Sequence, residues 1–393
     1  MLASRAVTIA GMLHRSGSGA RCTLPVLALW LAGCGGAAAD ASDAASVADT
    51  GVDAASVDAR IDSSAVDATA GLDAGCVVPS GASEQTRQVP GFANRPYDLH
   101  VPPGYVCGTP IPLVLALHGG GGNALEMRAV TCPGGVLTDP GCLTAVADRE
   151  GFAIAFANGT GYARPDVRTF NAGGGTGSYT CVSGRACQDG VDDDAYVDAL
   201  LADVERVLSL DRARVYATGF SNGAALTHRL ACTHADRFAA IASVAGGNQF
   251  STSSTCSPTR EVSVLEFHGT ADPCWPYAGG VGSCAEGGDK IAVDASMVGT
   301  ASAPGWAMRD GCDTTPTSEA LPDLVSDGTT VTRLTYPSCA SGASVVVYRI
   351  EGGGHRWPGG ELTTSPLGND TGPLTRDINA SEEIWAFFRA HTL

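Results

Sequence analysis

The chain is short of positive charge: 24 Lys and Arg stand against 41 Asp and Glu in 393 residues, a formal net charge of −17. No segment builds a basic face, so nucleic acid is not an expected partner. Long hydrophobic runs are scarce too. The apolar stretch LPVLALWLAG near the amino terminus is too short to span a bilayer. Aromatic residues are missing altogether from residues 35–75, a segment dominated by Ala, Asp, Ser, Val and Gly that carries eight Asp and one Arg. It cannot bury enough apolar surface to offset its ordering entropy, and it is expected to be a disordered tether. Its loose VDA recurrence is too short and too polar to stack as a repeat. No cysteine pair has zinc-ligand spacing beside histidines, and the acidic run Asp192-Asp193-Asp194 lacks the EF-hand pattern and precedes a predicted helix, so no metal is expected.

What is present points out of the cytoplasm. Arg5, His14, Arg15 and Arg21 precede the apolar run, which is the layout of an export signal over residues 1–33. The run ends in Leu31-Ala32-Gly33-Cys34, which resembles a bacterial lipobox and would make lipidated Cys34 the only attachment to a membrane. An ordinary secretory signal with an incidental cysteine is the alternative; both export the chain. Of 14 cysteines, twelve fall between Cys76 and Cys339, an even number that favours disulfides. Proximity suggests Cys181 with Cys187, Cys232 with Cys256 and Cys312 with Cys339, although spacing alone does not determine connectivity. The expected organisation is a signal (1–33), a tether (34–75) and one domain (76–393), acting as a monomer.

Within that domain, six short apolar runs at 111–120, 151–158, 213–220, 238–246, 261–270 and 343–354 alternate with helical segments. They are continuously apolar, so they predict strands buried on both faces of a mostly parallel sheet in an α/β fold with helices on both sides. The segment 193–210 predicts a helix with Tyr196, Leu200, Leu201, Val204, Val207 and Leu208 on one face, and SEEIWAFFRAHTL predicts a last helix opening on a Ser-x-x-Glu-like cap.

Function in such sheets gathers on loops at the carboxyl ends of strands. His118, Ser221, Asp272 and His355 each follow one of the predicted strands. GFSNG, at 219–223, lies between a strand and a helix, where a nucleophile elbow belongs, and Asp272 and His355 follow in the chain order Ser, Asp, His. In LALHGGGGN a strand runs into Gly119 to Gly122, whose unhindered amides can hold an oxyanion, with Gly120 or Gly121 and Asn222 as the expected donors. A phosphate loop is the rival reading, but no Lys-Ser/Thr follows the glycines. Trp275 and Trp357, close behind Asp272 and His355, are expected either to wall the site or to pack its loops, and His118 is placed with them as a substrate-binding candidate.

The blocks LHGGGGN, VDDDAYVDALL, VYATGFSNGAAL, EFHGTADPCWPY and EGGGHRWPGG, in this order, resemble the polyhydroxybutyrate depolymerase and feruloyl esterase group of secreted α/β-hydrolases, the carbohydrate esterase family 1 type. The stretch VDDDAY departs from that group in its packing residues. The resemblance implies an α/β-hydrolase fold, with Ser221 as nucleophile, Asp272 as orienting acid, His355 as base and no cofactor. It implies esters as substrates: feruloyl or acetyl groups on xylan, or polyhydroxybutyrate oligomers. A non-catalytic surface binding lipoprotein is the reading of a different class, and a complete triad argues against it.

Overall fold

The computed structural model describes residues 83–161, 167–173, 186–284, 289–293, 302–361 and 371–393, all within a unit spanning Thr69–Leu393. The signal, the tether and Cys34 lie outside these residues, as does Cys181. The strands of the main sheet are β1 (Ser83–Gln88), β2 (Pro96–Val101), β3 (Ile111–Leu117), β4 (Ala153–Ala157), β5 (Leu210–Phe220), β6 (Ala240–Val244), β7 (Ser263–Gly269), β8 (Thr317–Ala320), β9 (Thr330–Tyr336) and β10 (Val345–Glu351). Their spatial order is β1-β2-β4-β3-β5-β6-β7-β10-β9-β8. The six central strands from β4 to β10 run parallel. They are the six apolar runs read from the sequence. The outer strands β1, β2, β8 and β9 are antiparallel additions.

Period-two alternation of the central strands divides the core in two. Leu113, Leu115 and Leu117 of β3 face α3 (Asp193–Glu205), α4 (Asn222–Thr233) and α5 (Ser302–Arg309), while Val114 and Ala116 face α1 (Ala124–Val130), α2 (Leu143–Glu150) and α6 (Ala380–Phe388). The sheet is therefore covered on both faces, as expected for an α/β-hydrolase. The six apolar residues predicted on the 193–210 helix are all buried, although α3 itself stops at Glu205. On α6, Trp385 stacks on Phe152 at 4.0 Å and Phe388 on Tyr216 at 4.6 Å. Its cap is Asn379, whose side chain accepts from the Ser381 and Glu382 amides, rather than the predicted Ser-x-x-Glu.

The acidic run at the start of α3 is taken up by protein partners. Asp192 caps the helix by accepting from the Ala195 amide at 2.9 Å, buried Asp193 pairs with Arg95, and Asp194 pairs with Arg229 at 2.7 Å. Disulfides join Cys132 to Cys142, Cys232 to Cys256, Cys274 to Cys284 and Cys312 to Cys339. Two of the three suggested pairs are among them; Cys187 is disulfide-bonded, and its suggested partner falls outside the described residues. Among the described residues no helix is long and apolar enough to cross a membrane.

Candidate active site

Ser221 stands between the end of β5 and the start of α4 with φ at 53°, a positive value that a non-glycine residue adopts only under constraint. The constraint is visible in its neighbours. A Cβ on Gly219 would lie 2.4 Å from the Gly223 carbonyl, one on Gly223 would lie 2.2 Å from the Leu117 carbonyl oxygen, and one on Gly246 would lie 2.5 Å from the Ser221 carbonyl oxygen. Both glycines of GFSNG are thus required by close backbone packing. Serine at a helix start usually caps it with its hydroxyl. Here the Ser221 side chain makes no capping bond, so its hydroxyl is not spent on the helix it begins.

Asp272 and His355 come together after β7 and β10, which pair in parallel. His355 Nδ1 donates to Asp272 Oδ2 at 2.7 Å, while Asp272 Oδ1 accepts from the amides of Cys274 at 2.7 Å and Trp275 at 2.8 Å. Burial alone would raise the Asp272 pKa, but the charge of His355 and the donors around the carboxylate overcome it and hold the group well below the usual range. The ring of His355 lies against Phe220, the residue before Ser221, at 4.9 Å between centroids. A histidine whose Nδ1 proton is fixed on a carboxylate presents Nε2 as the acceptor that can take a hydroxyl proton. Cys274 lies beside this pair, but it is bonded to Cys284 and offers no thiolate to a metal.

The glycine loop and the elbow are held by one segment that the motifs did not reveal. Gly121 N donates to the Arg168 carbonyl at 2.7 Å and Arg168 N donates to the Gly122 carbonyl at 3.2 Å. Next along, the Phe170 amide and the Thr169 hydroxyl donate to Asn222 Oδ1 at 2.7 and 2.9 Å, and Asn222 Nδ2 returns a bond to the Phe170 carbonyl at 3.0 Å. Residues 168–170 therefore tie both walls of the prospective oxyanion pocket to each other. Because the Gly121 amide is engaged, it is removed from the expected donors. Gly120 N makes no hydrogen bond among the described residues, and Asn222 is the first residue of α4.

The three candidates for substrate contact are all buried, which corrects the placing of His118 and decides between the two alternatives for the tryptophans. His118 is 1% exposed, with Nδ1 donating to the Gly119 carbonyl at 2.7 Å and Nε2 accepting from the Gly159 amide at 3.0 Å. Burial pushes its pKa down to about 3. It is a neutral brace beneath the glycine loop, not a substrate contact. Trp275 and Trp357 are each 1% exposed. Their indole N–H groups donate to the Ile291 carbonyl at 3.0 Å and the Ser381 hydroxyl at 3.3 Å, so both pack the loops.

A second group of serine, histidine and acid lies under the sheet and has different chemistry. Trp306 Nε1 donates to His228 Nδ1 at 2.9 Å, which makes Nδ1 an acceptor and leaves the proton on Nε2, 3.2 Å from Glu266 Oε1. Ser302 donates its own proton to Glu266. This histidine cannot serve as base to that serine.

The chain is 34% identical over 280 residues to NocK of Nocardia uniformis subsp. tsuyamanensis, a protein provisionally named an esterase, over 69% of this chain and 73% of that one. The chain belongs to the α/β-hydrolase esterases. This esterase is also 28% identical to feruloyl esterase C of Emericella nidulans over 78% of its own length and 87% of the relative's. Among solved structures, acetyl xylan esterase from Aspergillus awamori aligns at 14% identity and a TM-score of 0.44, over 70% of the esterase and 94% of that chain. No family model matches the esterase. Its EFHG stretch also carries His268, which sequence reasoning passed over; its Nε2 lies 3.3 Å from Asp272 Oδ2. Two residues beyond an acid, inside an apolar strand, it reads as a core histidine.

Proposed function

We propose that the enzyme hydrolyses carboxylic esters through Ser221, His355 and Asp272, releasing feruloyl or acetyl groups from xylan-type polysaccharide. The observation that carries the reading is the buried Asp272–His355 bond of 2.7 Å, with the His355 ring against Phe220, the residue before a positive-φ serine at a strand-to-helix turn. His355 takes the Ser221 proton during attack on the ester carbonyl, and Asp272 stabilises the imidazolium. The amides of Gly120 and Asn222 receive the oxyanion, and the latter stands at the positive end of α4. The alcohol leaves with the proton from His355, and water releases the acid by the reverse steps.

Feruloyl esterase relatives support the choice of substrate. Four disulfides support a site of action outside the cytoplasm, with Cys34 as the proposed lipid anchor. Purified protein should cleave p-nitrophenyl acetate, and Ser221→Ala should abolish the activity; equal rates would sink the nucleophile assignment. Release from methyl ferulate, acetylated xylan and hydroxybutyrate oligomers then ranks substrates, with the first two expected to lead.

A further inference from the structure

Asp272 is held by a second histidine that has no part in the proton relay. His268, on β7 and 1% exposed, places Nε2 at 2.7 Å from the Trp275 carbonyl oxygen and 3.3 Å from Asp272 Oδ2. Both neighbours are acceptors, so Nε2 carries the proton. Its Nδ1 is buried without a hydrogen-bond partner among the described residues. A second proton there would be a charged donor with nothing to meet, which a buried site disfavours. His355, on the same carboxylate oxygen, is the one free to change protonation during turnover.

We propose that His268 is a positioning residue for the relay: an N–H donor shared between the Trp275 carbonyl and Asp272 Oδ2 that fixes this oxygen against His355 Nδ1. The contacts close a ring. The Trp275 amide donates to Asp272 Oδ1, its carbonyl accepts from His268, and His268 reaches back to Oδ2. Two backbone amides on one oxygen and two imidazole nitrogens within 3.3 Å of the other restrain the carboxylate plane. Removing His268 loosens that plane. It also leaves more charge on Oδ2 to stabilise the His355 imidazolium, so His355 holds its proton to higher pH.

This inference rests on the roles proposed for Asp272 and His355, and activity that survives Ser221→Ala would mark the failure of that reading separately. The test is kcat, KM and the pH profile of kcat/KM on p-nitrophenyl acetate for full-length wild type, His268→Phe, His268→Gln and His268→Asn. Phe should lower kcat about 10- to 100-fold, the effect of one hydrogen bond to a charged group, with KM within about twofold. It should also move the acid limb upward by about half a pH unit. Gln, whose amide nitrogen reaches the Nε2 position, should restore kcat to within about fivefold and return the limb. Asn, which reaches only as far as Nδ1, should behave as Phe. Wild-type kcat and acid limb in Phe and Asn, or Gln as impaired as Phe, would overturn the proposal. If the Phe variant does not fold, the contrast between Gln and Asn decides.

Discussion

Gly223 is the second residue of α4, and a methyl group there has nowhere to go. Its Cβ would sit 2.2 Å from the Leu117 carbonyl oxygen and 2.6 Å from that of His118. These are backbone atoms at the end of β3, where the strand passes into the glycine loop, so no side-chain rotation can clear them. Restoring a van der Waals distance requires the elbow and the loop to separate by about 1 Å. At an ordinary helical position Gly→Ala stabilises by about 0.5–1 kcal/mol. Overpacking of about 1–3 kcal/mol opposes it here, leaving a net loss of about 0–2.5 kcal/mol and a Tm unchanged or lower by a few degrees. The rate should suffer more. Separating a nucleophile from its oxyanion donors by about 1 Å costs on the order of 100-fold. Gly223→Ala should therefore remain folded at assay temperature yet lose about two orders of magnitude in kcat/KM on p-nitrophenyl acetate, with thermal unfolding followed in parallel. A variant within about threefold of wild type, or one with a raised Tm, would refute the steric reasoning.

Asp272→Asn should reduce kcat on the order of 10⁴-fold, because the amide no longer holds His355 in the tautomer that accepts the serine proton. It should also alter acid stability. The folded pKa of Asp272 is depressed, so its contribution is present above the unfolded value near 3.9 and is lost as pH falls through the folded one. In urea unfolding, the stability gap between wild type and Asp272→Asn should narrow from pH 6 to pH 3; a constant gap contradicts the linkage. Asp310 has the opposite sign. It is fully buried, with one oxygen bonded to the Val262 amide and the other without a partner among the described residues, and burial pushes its carboxyl up to about 7. Ionising it costs the fold roughly 4 kcal/mol at most by pH 8, so wild type should lose stability as pH rises from about 4 to 8. Asp310→Asn should flatten that slope, and parallel curves would count against the assignment.

The central sheet was legible because a strand buried on both faces must be apolar at successive positions, and the six parallel strands are such runs. The four outer strands were not. In β8 every residue of TSEA is exposed, and β9 has the mixed burial of a strand with one wet face; such sequences resemble loops until a neighbour pairs with them. Site legibility followed the same division. Ser221, Asp272 and His355 could be placed because each ends a readable strand, and chain order supplied their proposed roles. The parts that missed depend on backbone path. Arg168, Thr169 and Phe170 form no motif; they matter because of where their amides and carbonyls fall across the chain. Gly120 and Gly121 are identical letters side by side. What separates them is the Arg168 carbonyl, which takes the Gly121 amide and not that of Gly120. A choice between neighbouring glycines is made by hydrogen bonds from a segment some fifty residues away, and composition or spacing carries no trace of it. The same reasoning explains His268. Its separation from Asp272 was visible, but only the turn through Trp275, whose carbonyl takes Nε2, brings that nitrogen within 3.3 Å of the carboxylate, and with it the difference between a core histidine and one proposed to position the relay.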